Sequence, residues 1–174
     1  MTPLISKKVA TAINAQIGLE FLASLQYEAI AAWFKLEGLP RLQAHFSKQA
    51  EEERGHAHRF IKYLLDAGMG LELPAIPAPK CKFKSATEAV QLALDHELKV
   101  TDSIKELLTL AEKENDRFTQ NSLQWFINEQ LEEVSSMDEL LQIVQRAGDG
   151  GLLFVEHFLA SKGSEVKGDK GRKD

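Results

Sequence analysis

A chain of 174 residues with 44% hydrophobic and 27% charged residues has the size and balance of one compact globular domain. Its net charge of −5, with no dense basic cluster in the predicted helices, argues against a nucleic-acid surface and favours cations as partners. No apolar run reaches the ~20 residues that span a bilayer, no N-terminal stretch has the pattern of an export signal, and the single Cys81 leaves no internal disulfide, so the chain reads as cytoplasmic.

The first predicted helix covers about residues 4–37 and ends at Gly38. Ile13, Ile17, Glu20, Ser24, Tyr27, Ala31 and Phe34 recur on it by fours and threes, so the Glu20 carboxylate faces the side that the isoleucines bury. Pro40 suits the first turn of a second helix, and so short a link makes the two antiparallel. This helix continues to about residue 67, where Gly68 and Gly70 free the backbone. Its seam is Leu42, Phe46, Gln49, Glu53, His56, Phe60, Tyr63 and Ala67, which sets Glu53 and His56 on adjacent turns of one inward face.

From Leu71 to Lys84 the chain carries Pro74, Pro77 and Pro79 and reads as extended. At ~3 Å per residue it spans roughly 40 Å, about the length of the second helix, so it can travel the whole bundle and make the third helix parallel to the second. Ser85 with Glu88 is a capping-box pattern that starts the third helix, which fades into the polar run Glu112 to Asp116. Its seam is Val90, Leu94, Glu97, Thr101, Ile104, Leu108 and Ala111. The fourth helix runs to about Ala147 through Leu123, Phe126, Gln130, Glu133, Met137, Leu140 and Val144. Gly148, Gly150 and Gly151 break the chain before a short apolar fifth helix, Leu152 to Ala160, which must dock on the rest. The expected architecture is all-α: residues 1–160 form a four-helix bundle with a long crossover and a short C-terminal helix, and residues 161–174 form a flexible charged tail.

Every seam is interrupted near its middle by a glutamate. An ionised carboxylate without a partner in an apolar core is costly, and four together repel one another. Two divalent cations balance Glu20, Glu53, Glu97 and Glu133, with His56 as a neutral nitrogen donor. The division that follows gives one metal Glu20, Glu53 and His56, and the other Glu97, Glu133 and a share of Glu53 as a bridge. Gln130 stands where a further ligand would be, so the second position is the poorer in protein ligands and its metal is expected to exchange. Tyr27 is placed equally well to support a ligand, to supply an electron, or to be a core tyrosine. Glu52, Glu129 and Glu132 beside the inward positions suit either a third ion or a solvated acidic face. His45, His58, His96 and His157 read as structural or surface residues, and Trp33 and Trp125 as packing residues.

The segments Gly18 to Tyr27, Glu52 to His56, His96-Glu97 and Trp125 to Glu133 resemble, in order, those of the non-haem bacterial ferritins, and the likeness extends to about Ala160. That resemblance implies a ferroxidase centre of Glu20, Glu53, His56, Glu97, Gln130 and Glu133 with Glu53 bridging two irons, and an extra inner-surface iron site at Glu52, Glu129 and Glu132. It also implies a hollow homo-oligomeric shell of twenty-four subunits that stores hydrated ferric oxide. The haem-bearing bacterioferritins fit less well, because Val134, Ser135 and Ser136 follow Glu133 where a second Glu-x-x-His is needed, and Arg54 stands where their haem-binding methionine would be. Haem is not expected.

The reading that follows is oxidation of paired Fe2+ to Fe3+ by O2 or H2O2, with the product moved into a cavity. The rivals are a self-contained di-iron oxidase or rubrerythrin-like peroxidase, and a scaffold subunit without a working centre. The lone cysteine and missing second histidine count against the first, and the conjunction of Glu20, Glu53, His56, Glu97 and Glu133 against the second.

Overall fold

The computed structural model describes the backbone of residues 2–169 and the side chains of residues 2–161. Four long helices, α1 (Lys7–Leu36), α2 (Pro40–Asp66), α3 (Ala86–Lys113) and α4 (Arg117–Ala147), form a bundle of two helical hairpins, α1–α2 and α3–α4, joined by a long crossover. A single 3-10 turn, Asp149–Gly151, leads into α5 (Leu152–Asp169). No helix among the described residues is long and apolar enough to cross a membrane.

Local chemistry fixes the helix ends. The hydroxyls of Ser6 and Ser85 accept from the backbone N–H groups of Val9 and Glu88, and the Asp116 carboxylate accepts from that of Thr119. Ser6 therefore starts α1 a turn later than the expected residue 4. Gly38 at φ 74° and Gly68 at φ 79° take the left-handed conformation that ends α1 and α2. The start of α2 has no side-chain cap of its own. Glu156 on α5 supplies one from a distance, accepting from Arg41 N at 2.7 Å and Leu42 N at 2.8 Å. With Val155 fully buried, this carboxylate docks α5 on α2. α5 continues past the expected end near Ala160, because its C-terminal segment contains no proline and extending a formed helix costs little. The end of the expected tail, residues 170–174, lies outside the described residues.

The extended crossover, residues 70–84, is tied to α1 along its length. Asn14 accepts from Glu72 N at 2.8 Å, and the Gln26 amide pairs with both backbone groups of Lys80 at 2.8 Å each. Between them Pro74 lies so close over Gly18 that any Cβ there would collide with its ring. Asn14, Gly18 and Gln26 thus meet Glu72, Pro74 and Lys80 in the same order, so the crossover runs alongside α1 and delivers α3 to the opposite end of the bundle. There Phe83 packs edge-to-face on Trp33.

The core consists of two apolar halves. One gathers Tyr27, Phe34, Phe46, Val90, Leu94, Met137 and Leu140; the other gathers Ile13, Ile17, Phe60, Ile104, Leu123 and Phe126. The Phe60 and Phe126 rings stack at 3.8 Å in the second half. Most positions of the expected seams are buried; Thr101 and Glu133 in the polar layer are partly exposed, as are Gln49, Tyr63 and Leu108, beside which Ala50, Leu64 and Leu107 are buried. A strict four-three repeat drifts by ~20° per seven residues against a straight helix of 3.6 residues per turn, which moves the inward position over by one.

Candidate metal centre

Between the two apolar halves lies a polar layer to which each long helix contributes. α1 brings Gln16, Glu20 and Tyr27; α2 brings Glu53 and His56; α3 brings Glu97 and Thr101; α4 brings Gln130 and Glu133. Glu20, Glu53 and Glu97 are at most 1% exposed, and His56 and Gln130 are buried with them. The His56 ring lies between two groups of acids. Its Nδ1 is 3.6 Å from Glu53 Oε2 and 4.0 Å from Glu20 Oε2, and its Nε2 is 3.6 Å from Glu133 Oε1. Glu20, Glu53 and His56 can each turn a ligand atom to within 4.8 Å of the others, as can Glu53, Glu97 and Glu133, so Glu53 belongs to both groups.

Hydrogen bonds hold the terminal carboxylates from outside. Gln16 Nε2 donates to Glu20 Oε1 at 2.8 Å. The Tyr27 hydroxyl donates to Glu97 Oε1 and lies 3.2 Å from the Ala93 carbonyl. Gln130 Nε2 donates to Glu133 Oε2 and is 3.4 Å from Glu97 Oε2, while its Oε1 accepts from the Thr101 hydroxyl at 2.6 Å. Glu53 is the exception, since neither of its oxygens has a donor from outside the cluster, and Glu20 Oε2 lacks one too; a proton on Glu20 can be shared with Glu53.

The electrostatics follow from this. Burial raises the Glu20 carboxyl well above the ordinary carboxylate range, and the Glu53 charge pushes it further. Glu53 is raised well above that range by burial and then by Glu97 and Glu133. Burial also raises Glu97, and it lifts Glu133 to about 8 with help from the Glu97 charge. Tyr27 is held far toward its neutral form by burial and the charge of Glu97. Among the described residues, the nitrogen that faces these acids belongs to His56, not to a lysine or arginine. Arg59 is spent elsewhere, its guanidinium 3.9 Å above the Trp125 ring, whose edge-to-face contact at 5.4 Å supports the His56 imidazole. Without cations such a cluster can exist only by taking up protons. Carboxylate oxygens without outside donors that lie beside a histidine nitrogen could hold divalent transition-metal ions.

The outer acids separate. Glu129 joins His56 and Glu133 as a third group able to meet within 4.8 Å. The Glu52 carboxylate instead accepts from Lys48 at 2.7 Å, and Glu132 is exposed. Sequence reasoning missed Gln16 as a partner of Glu20. The available signal was a polar side chain one turn before an inward glutamate on an otherwise apolar flank. Thr101 was placed on its seam without a role.

A family model for the ferritin-like domain matches residues 10–147. The chain belongs to that family. It is 42% identical over 157 residues to ferritin BfrB of Mycolicibacterium smegmatis, covering 90% of this chain and 86% of that one. The bacterial non-heme ferritin of Staphylococcus haemolyticus is 34% identical over 161 residues, covering 91% of this chain and 97% of the relative. Among solved structures, an open pore ferritin from the hyperthermophilic archaeon Archaeoglobus fulgidus superposes with a TM-score of 0.86 at 31% identity, covering 90% of this chain and 96% of that chain. The family match therefore reaches into all four long helices of this ferritin-family chain.

Proposed function

We propose that this chain is a cytoplasmic iron-storage ferritin subunit with ferroxidase activity, which takes two ferrous ions as substrate in the polar layer. Glu20, Glu53 and His56 hold one, Glu97 and Glu133 the other, and Glu53 bridges them. The observation that carries this is the pair of donorless, fully buried oxygens on Glu53, flanked on each side by acids within 4.8 Å. Gln130 fixes one oxygen of Glu133 and leaves the other turned to the centre. Tyr27 fixes Glu97 Oε1, while Oε2 lies 3.4 Å from Gln130 Nε2, which favours its support role over electron donation.

In the reaction two ferrous ions each lose one electron and dioxygen gains two, with two protons, to give hydrogen peroxide; with peroxide as oxidant, two protons and two electrons give two waters. The protons displaced from the raised carboxyls on binding are a local source for this step. Hard carboxylate oxygens favour the ferric product over the ferrous substrate, which drives oxidation at the site. Both positions are furnished with carboxylates, and the one with Glu97 and Glu133 has no nitrogen ligand of its own, so its ion is held less selectively and leaves as product. Glu129, across the His56 and Glu133 pair, is the outer acid we assign to a third iron position on the way out.

The product is deposited as ferric oxyhydroxide inside a shell of twenty-four copies. Assembly is supported by large apolar side chains left exposed on the single chain, among them Leu36, Leu131, Leu153 and Phe154. The test is to load the metal-free protein anaerobically with ferrous iron, admit oxygen and follow ferric absorbance beside Glu53→Ala. Wild type oxidises iron far faster and takes up many irons per chain. A fixed di-iron enzyme would stop at two and a scaffold at none, and a Glu53→Ala rate equal to wild type would overturn the assignment.

A further inference from the structure

Gln16 is fully buried on α1 beside Ile13 and Ile17, and it makes one hydrogen bond, from Nε2 to Glu20 Oε1 at 2.8 Å. Its own carbonyl, Oε1, has no donor. An apolar side chain of the same length would remove the unsatisfied Oε1 of Gln16 and leave Glu20 Oε1 without its donor, so the use of an amide here is tied to Glu20. The terminal acids of the layer explain it. In Glu97 and Glu133, as in Glu20, an outside donor ties one carboxylate oxygen; in Glu20 and Glu133 the other oxygen is turned toward His56. Glu20 and Glu133 each have a single such tie, whereas Glu97 has a second, from Gln130 Nε2 at 3.4 Å to Oε2. Ser24, the next inward residue on α1, gives its hydroxyl to the Ala50 carbonyl at 2.7 Å and leaves Glu20 to Gln16.

We infer that Gln16 is the positioning residue of the first iron position: by holding Glu20 Oε1 from behind, it presents Oε2 to the metal shared with Glu53 and His56. The inference rests on the cluster being the iron site proposed above. Without the amide, Glu20 is free to rotate its carboxyl or swing both oxygens inward, and the ion it shares with His56 loses a fixed ligand. Groups that orient metal ligands from outside typically change affinity by about 10- to 100-fold when removed. The loss falls on one position, because the hydrogen bond of Gln16 goes to Glu20, while Glu97 and Glu133 are tied by Tyr27 and Gln130.

The experiment is a graded soak of crystals of the assembled protein in Co2+, which stands in for ferrous iron and does not oxidise under air. Anomalous difference density reads the occupancy of each position separately. In Gln16→Met, and in Gln16→Leu as a second variant, the position at Glu20 and His56 fills only at Co2+ concentrations about 10- to 100-fold higher than in wild type, while the position at Glu97 and Glu133 fills as before. Unchanged filling of the Glu97 and Glu133 position in the same crystals shows that the bundle is intact, which a merely structural loss spread over the layer would not allow. Equal filling of both positions at wild-type concentrations, or an equal loss at both, would overturn the inference. Glu53→Ala serves as the control: if its crystals also load both positions normally, the cluster itself has been misread. If that control stays empty while Gln16→Met fills normally, only the role of Gln16 fails.

Discussion

Replacing Glu53 by methionine should stabilise the metal-free protein while abolishing its chemistry. Glu53 is fully buried, neither oxygen has a donor, and Glu97 and Glu133 press on its charge. Methionine keeps the length of the side chain and removes both oxygens. An unmade hydrogen bond on a buried group costs about 1–3 kcal/mol, so the two oxygens cost about 2–6 kcal/mol, and because Glu53 relieves part of this by taking up a proton, a gain of about 2–4 kcal/mol is expected. In a chain of this size that corresponds to a rise in Tm of roughly 5–15 °C. The sign of the pH dependence is fixed by the direction of the shifts. Between the unfolded carboxyl range and the raised folded values the native state binds more protons than the unfolded one, so the stability of metal-free wild type falls as pH rises through that window, with Glu133 marking an upper edge near 8. Glu53→Met removes one contributor, so its advantage is larger at pH 8 than at pH 5. Differential scanning calorimetry of chelator-stripped protein at both pH values measures this, and a parallel ferrous oxidation assay should return the rate of iron in buffer alone. A variant that melts at or below wild type at both pH values would refute the claim that this carboxylate is buried without compensation.

Loading the metal-free protein with a divalent cation at pH 7 should release about one proton from Glu133 alone, which is mostly protonated there with its pKa near 8, plus further protons from the other raised acids. Titration in weakly buffered solution counts them, and apparent affinity should climb with pH up to about 8. Tyr27→Phe removes the hydroxyl that ties Glu97 Oε1, so metal at the Glu97 and Glu133 position weakens more than at the Glu20 and His56 position, the mirror image of the Gln16 variants; site-resolved Co2+ occupancy decides it. Glu156→Ala deletes the acceptor for two backbone N–H groups at the start of α2 and should cost about 1–2 kcal/mol, read as faster hydrogen exchange confined to α5 and the first turn of α2. Gly18→Ala drives a methyl group into the Pro74 ring and should lower stability by about 1–3 kcal/mol while leaving anaerobic metal affinity unchanged.

The bundle was legible because periodicity reports burial directly: a side chain on the inward stripe of a long helix has nowhere else to go, and Glu20, Glu53, His56, Glu97 and Gln130 are all buried on the stripes that name them. What stayed hidden has a common physical character. The ties of Asn14 and Gln26 to the crossover join residues more than fifty positions apart through backbone groups, and no local pattern announces such a partner. The cap that Glu156 gives α2 is of the same kind. A capping residue is normally sought immediately before its helix, and Leu39 in that place offers nothing. Gln16 was passed over because an amide on a helix flank reads as solvated until its burial is known. Among the outer acids, spacing could not separate Glu129 from Glu52, since only three-dimensional proximity shows Lys48 claiming one and His56 the other.

The division of the core explains how the fold tolerates so much buried charge. The aromatic and aliphatic groups lie in two halves, each of which joins all four long helices without relying on the layer between them. Stacked Phe60 and Phe126 close the centre on one side, and Tyr27 with Phe46 closes it on the other. The bundle is therefore held at both ends while its middle is free to carry carboxylates that do not contribute to stability. Rigid flanks also fix the separation of the helices, which sets how far Glu53 must reach to meet both groups of acids. It follows that a cavity cut in either half, such as Phe60→Ala, loosens metal affinity only through the positions of the helices, whereas changes at Gln16, Tyr27 or Gln130 act on single carboxylate oxygens. The two kinds of change separate in one measurement. A packing mutation lowers occupancy at both metal positions together, and loss of an outside hydrogen bond lowers it at one.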